Sequence, residues 1–160
     1  MSENTDADAW KDPEWQDRTC LLLDSYERYT ERTLIPRVGR AEDSQKLFEA
    51  PFVVVAHGTE DDPLLNYANL AALELWKLPL SELLGMPSRK TAEPVHRDER
   101  SQLLERTRKY GYIDDYSGIR IASTGERFRI HQATVWNVTA ADGKYRGQAA
   151  AFSEWTMLES

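Results

Sequence analysis

One cysteine, Cys20, is present in 160 residues. A lone thiol excludes an intramolecular disulfide, so packing must hold the fold. No apolar run approaches the roughly 20 residues that a membrane-spanning helix needs. Residues 1–9 are acidic and polar, without the charged-then-apolar form of a secretory signal. The expectation is a cytoplasmic protein. Histidine is scarce: His57, His96 and His131 lie far apart, with no paired metal spacing such as H-x-x-x-H. Basic residues are outnumbered, 20 against 27 acidic ones, for a net charge of −7. This diffuse acidic balance argues against nucleic acid, whose binders need a basic patch to displace counterions from phosphates. It argues equally against an anionic membrane. There is no internal repeat and no low-complexity block.

What is present suits a soluble domain with a sizeable core: 41% of residues are hydrophobic and 29% charged. The length fits one domain plus an accessory helix. Residues 1–9 read as a disordered tail. Asp12-Pro13 then offers an N-cap followed by Pro at the first helical position, where its missing N–H costs nothing. An N-terminal helix is expected within residues 10–35, ending ahead of Pro36. Trp15, Leu22, Tyr26 and Tyr29 share one of its faces. Residues 36–46 have loop chemistry and read as a linker to a domain spanning 47–155.

The domain opens on a β-branched run, Phe52-Val53-Val54-Val55, stopped by Gly58. A turn-rich patch, Thr59-Glu60-Asp61-Asp62-Pro63, leads to a second short run ending at Tyr67, so the two form a hairpin. Asn69 can cap the helix that follows, because its side-chain oxygen can accept an unpaired backbone N–H. A brief helical turn ends at Gly85, and Pro87 and Pro94 bracket an irregular stretch. A longer helix over 96–110 stops at Gly111. Three further strands are expected, near 117–123, 126–138 and 144–153, after first strands near 52–57 and 64–67. Alternation puts Phe128, Ile130, Gln132, Thr134 and Trp136 on one face of the fourth strand. The order is that of an α+β fold: five antiparallel strands with helices over one face.

Four separated segments carry a family resemblance. They are 47–55 (LFEAPFVVV), 65–69 (LNYAN), 87–94 (PSRKTAEP) and 111–118 (GYIDDYSG). In this order they resemble the bacterial MEKHLA-domain proteins, a PAS-related family, over residues 15–155. The resemblance implies a PAS-like sheet and a sensory module that binds a small ligand or a protein partner. It supplies no ligand and no catalytic residue.

Light-sensing flavin PAS domains carry a G-x-x-C-R segment whose cysteine bonds the flavin. The matching stretch here is Gly85-Met86-Pro87-Ser88-Arg89, and a serine hydroxyl is a poor nucleophile for that adduct. Arg120 and Ile130 stand at the two flavin asparagine positions, and Gln148 is a one-residue-shifted match to the flavin glutamine. No flavin is therefore expected. Haem-binding PAS domains use a histidine on the long helix; His96 stands only at its start, so no haem is expected either. Asp114-Asp115 are neighbours on an extended segment and point to opposite faces, which suits turn and hydrogen-bond roles rather than a shared metal or acid–base site.

Trp76, Tyr116, Trp136 and Trp155 read as core aromatics, three of them also candidates for a pocket between sheet and helices. Gln132 and Thr134, if buried, must bond to one another or face a polar ligand, since an unpaired buried polar group costs about 1–3 kcal/mol. Arg120 can likewise pair with Glu93 or with a bound anion. The candidate pocket set is Trp76, Ser88, Arg89, Tyr116, Arg120, Gln132, Thr134, Trp136 and Gln148. The apolar face of the N-terminal helix must lie on its own sheet or on a second copy, and a homodimer through Trp15, Leu22, Tyr26 and Tyr29 is the expectation. The alternatives to a non-catalytic sensor are a small enzyme using the same concavity and an interaction module with a filled core.

Overall fold

Asp12 and Pro13 start the first long helix as their chemistry requires. In the computed structural model, which describes residues 6–158, the Asp12 carboxylate accepts the Glu14 N–H (2.8 Å) at the head of α1 (Pro13–Thr30). Of the segment read as a tail, residues 1–5 lie outside the described residues, and a 3₁₀ turn occupies Asp6–Lys11. The linker expected over 36–46 is largely helix: α2 runs from Arg40 to Phe48 and packs on α1. Its polar sequence hides a local device. The buried Asp43 carboxylate turns back to accept the N–H groups of Val38 (2.8 Å) and Gly39 (3.3 Å) and pairs with Arg37 (2.9 Å).

The hairpin strands are β1 (Val53–His57) and β2 (Leu65–Ala68), followed by the short helices α3 (Leu70–Trp76) and α4 (Leu80–Leu83). Asn69 caps α3 and does more. Its side-chain oxygen accepts from Ala72 (3.2 Å) and from Val54 of β1 (3.0 Å), while its amide donates to the carbonyls of Leu47 (3.0 Å) and Phe52 (2.8 Å). One fully satisfied amide thus ties α2, β1 and α3 together. The long helix α5 (Arg97–Tyr110) ends at Gly111, whose φ of +94° suits glycine. Three strands complete the chain order as expected: β3 (Tyr112–Ile121), β4 (Arg127–Thr139) and β5 (Tyr145–Phe152).

All neighbours are antiparallel, in the order β2-β1-β5-β4-β3. A sixth strand was not expected. After Ser153 the chain continues as β6 (Glu154–Leu158) along residues 127–131 of β4. The reason is length: β4 has 13 residues, and β5 pairs only with its second half. Helices α3 and α5 cover one face of the sheet, and α1 covers the other.

One expectation fails at β4. Gln132 has a φ of +46° and is exposed, so the alternation slips by one residue there. Phe128 and Ile130 face the α3–α5 side, and Ala133 and Val135 take over that face beyond the slip. Thr134 and Trp136 turn to the opposite side, where the Trp136 ring meets Tyr26 edge-on at 5.0 Å. The apolar face of α1 lies on its own sheet: Leu22, Tyr26 and Trp15 are buried, with Trp15 stacked on Tyr67 (4.8 Å). Tyr29 is half-buried against Gly111. These four residues therefore lie on the protomer's own core, the first of the two placements expected for this face.

Candidate functional site

An arginine stands where an apolar residue belongs. On α5 the buried stripe is Arg100, Leu103 and Thr107, the i, i+3, i+7 spacing of a core-facing surface. Arg100 is therefore driven under the helix and is only 8% exposed. Its guanidinium donates to the Ser88 hydroxyl. Ser88 opens a 3₁₀ turn (Ser88–Thr91), fixed by its N–H donating to the Pro63 carbonyl (2.8 Å) and by Thr91 donating back to the Ser88 carbonyl (2.8 Å).

A second arginine arrives from the sheet. Arg120 on β3 is 7% exposed, donates to the Ile119 carbonyl (2.9 Å) and lies 5.4 Å from the Tyr116 ring centre. Among the described residues neither Arg100 nor Arg120 has a carboxylate within 4.0 Å. Glu93, the partner considered for Arg120, pairs instead with Arg127 at 3.8 Å. Burial, with the like charge of Arg120 adding to it, lowers the Arg100 pKa to about 10, so it remains a cation at neutral pH.

Both arginines border a cavity of about 70 Å³ between the sheet and α5. Its walls are mostly apolar, with Val55, Leu103, Ile130, Val135 and Phe152 prominent. Among the described residues no carboxylate lines it. Three lining polar atoms are buried with no hydrogen-bond partner among the described residues: His57 Nε2, Trp76 Nε1 and the Tyr116 hydroxyl. The phenol of Tyr116 occupies the space that a Cβ on Gly118 would fill, so that glycine permits its placement. His57 Nδ1 lies 3.1 Å from the Gly58 carbonyl oxygen. Burial pushes the His57 pKa down; the Gly58 carbonyl opposes this, and the cationic Arg100 adds to it. Gly147, with φ +130°, lets β5 approach the His57 carbonyl, since a Cβ there would collide with it.

The structure brings Trp76, Ser88, Tyr116, Arg120 and Gln148 together in the cavity wall. Gln148 is fully engaged through its amide, which donates to the Leu104 carbonyl (2.9 Å) and to Asn137 Oδ1 (3.0 Å), tying β5 to α5 and β4. Four candidates are elsewhere. Arg89 is exposed and pairs with Asp62 (3.0 Å). Gln132 faces solvent, and Thr134 and Trp136 lie on the α1 side, all three because of the slip at Gln132. His96 stands at the N-terminal end of α5 without a side-chain capping bond among the described residues and is not in the wall, and His131 meets Thr156 at the surface (2.8 Å). Asp114 and Asp115 diverge to Arg32 (3.4 Å) and Arg106 (4.0 Å). Among the described residues, no three His, Cys, Asp or Glu side chains gather as a metal site, and no helix is long and apolar enough to cross a membrane. Sequence reasoning missed Arg100 and the cavity position of His57. The legible signal for Arg100 was its place on the stripe of Leu103 and Thr107.

No curated protein matches the chain. Among solved structures, a PAS domain from Colwellia psychrerythraea superposes with a TM-score of 0.60 at 9% identity, covering 73% of this chain and 94% of that one. The photo-excited blue-light photoreceptor Vivid, a fungal protein, gives a TM-score of 0.55 at 16% identity, covering 89% of this chain and 95% of that one. The LOV domain of a blue-light activated histidine kinase from Erythrobacter litoralis gives 0.52 at 16% identity, covering 70% and 100%. At these identities the likeness is one of fold. The MEKHLA domain itself matches residues 16–157, and the chain belongs to the MEKHLA-domain family.

Proposed function

We propose that this protein is a non-catalytic sensory module that holds a small ligand in the cavity between its sheet and α5. One observation carries this reading. His57 Nε2, Trp76 Nε1 and the Tyr116 hydroxyl are buried around one space with no partner among the described residues. Buried polar atoms in folded proteins are overwhelmingly hydrogen-bonded, so three unpaired ones around one void mark a place for a polar guest.

A flavin does not suit these residues. The cavity is about 70 Å³, against the roughly 300–1,000 Å³ of pockets that enclose drug-sized ligands. Ser88 replaces the reactive cysteine and is bound to Arg100. Arg120 and Ile130 occupy the positions of the two flavin asparagines. An enzyme would need a base with an activating neighbour. His57 has no carboxylate hydrogen-bonded to it among the described residues, and its Nδ1 meets a backbone carbonyl instead.

Native mass spectrometry of the protein purified from its own host tests the proposal. The expected result is a retained small molecule of fixed mass that is released on unfolding. A protein that carries nothing, with no small molecule altering its melting temperature, refutes it.

A further inference from the structure

We infer that the occupant of this cavity is a small organic anion, its carboxylate held between Arg100 and Arg120 and its apolar body lying against the sheet. The inference rests on the ligand-binding reading above and adds the chemistry of the ligand. Arg100 and Arg120, 8% and 7% exposed, both line one space, with no carboxylate of the described chain within 4.0 Å of either guanidinium. A buried charge is tolerated when it is paired, and an unpaired one is costly. The compensating charge is therefore external and negative.

The chain makes the asymmetry sharper. It carries a net charge of −7, yet the side chains that line this cavity include two cations and no acid among the described residues. The remaining groups suit the same guest. The Tyr116 hydroxyl and the Trp76 indole N–H are unused donors, and an ionised carboxylate only accepts. Arginine presents its N–H groups as a planar fork that matches a carboxylate bidentately. Ser88 already takes one Arg100 donor and orients that fork.

The rest of the wall decides between an inorganic and an organic anion. Val55, Leu103, Ile130, Val135 and Phe152 give it an apolar side that a fully hydrated ion such as sulfate would not use. A volume of about 70 Å³ is on the order of five water-sized spheres, room for a short aliphatic or small aromatic acid.

The test uses the full chain, freed of retained ligand by refolding, with straight-chain carboxylates of increasing length and benzoate as probes. The controls are their neutral amides, the matching alkylammonium ions, sulfate and phosphate. Calorimetry and the arginine side-chain N–H resonances report binding. At least one carboxylate should bind saturably, raise the melting temperature and shift the Arg100 and Arg120 signals, while its amide should bind at least tenfold more weakly. R100Q and R120Q should each weaken that binding at least tenfold. R89Q, which alters the neighbouring exposed arginine, should leave it unchanged. The variants also carry a readout that needs no ligand: removing an uncompensated buried cation should raise the melting temperature of the empty protein. If amides bind as tightly as acids, or the molecule retained from the host is neutral or cationic, the anion inference fails while the ligand-binding reading stands. If only sulfate or phosphate binds, the organic body is wrong. If no probe binds and the host protein retains nothing, both readings fall.

Discussion

The indole N–H of Trp136, in the second half of β4, donates to the backbone carbonyl of Leu22 in α1 (3.2 Å). This bond joins the N-terminal helix to the outer face of the sheet. Trp136 is fully buried, Tyr26 meets its ring edge-on, and Leu22 and Leu23 of the same helix are buried as well. The helix is thus a structural layer of the domain. Replacing Leu22 and Tyr26 together with Glu should unfold the protein or lower its stability by several kcal/mol, because two charges would enter a dry contact. Leu22→Ala alone should cost about 2–5 kcal/mol in urea unfolding. A change of sedimentation coefficient with stability intact would instead make this face an interface between copies.

Asn69 tests the other junction. Its amide makes four hydrogen bonds, to Val54, Ala72, Leu47 and Phe52, and it has no exposed surface. Asn69→Ala removes a helix cap worth about 1 kcal/mol and strands buried backbone groups of two other elements. The expected loss is about 3 kcal/mol or more by chemical denaturation. Asn69→Asp should also destabilise, since a carboxylate cannot donate to the Leu47 and Phe52 carbonyls. A loss below 1 kcal/mol for both would mean that water substitutes for the side chain.

These two junctions differ in how far the sequence discloses them. Asn69 follows a hairpin and precedes an apolar helical pattern, so its cap was legible from local chemistry. The partners it reaches in β1 and in α2 are set by tertiary packing and were not. On β4 the apolar alternation was read straight through Gln132, because glutamine gives no sign of a left-handed φ and both Trp136 and Val135 suit a buried face. That single slip moved Thr134 and Trp136 from the cavity to the α1 side. The helix α2 was hidden by its composition, RAEDSQKLF, whose order depends on the Asp43 carboxylate folding back on Val38, Gly39 and Arg37. Arg100 reads as a surface charge in HRDERSQLLERTRKY until its spacing to Leu103 and Thr107 is counted.

Tyr116 and Gly118 form a pair whose roles separate by substitution. Tyr116→Phe keeps the ring and deletes a hydroxyl that has no hydrogen-bond partner among the described residues. Removing an unsatisfied buried hydroxyl should leave stability unchanged or raise it, by up to about 1 kcal/mol. Gly118→Ala puts a methyl group where the phenol now sits, so the ring must move. It should cost about 1–3 kcal/mol, as overpacking does. The same cost for Gly118→Ala in a Tyr116→Ala background would show that the phenol is not what the methyl group meets.

The pH dependence of stability follows from His57. Its ring lies under α5 beside the cationic Arg100, with Glu60 in the following turn and the Gly58 carbonyl against Nδ1. Burial lowers its folded-state pKa below the roughly 6.5 of an exposed histidine. Between those two values the unfolded chain binds the extra proton and the folded one does not, so stability rises with pH there. The contribution is fully present above about pH 6.5 and is lost as pH falls toward the folded value, at up to about 1.4 kcal/mol per pH unit. Asp43 acts at lower pH, because its pKa is depressed from an already acidic value by Val38, Arg37 and Gly39 against the cost of burial. Urea unfolding from pH 7.5 to 5.5, in buffers free of carboxylates and phosphate, should therefore show a falling stability for the native chain. His57→Gln should be flatter over the same interval. Parallel profiles for the two proteins would mean that His57 is solvated and takes up its proton without penalty.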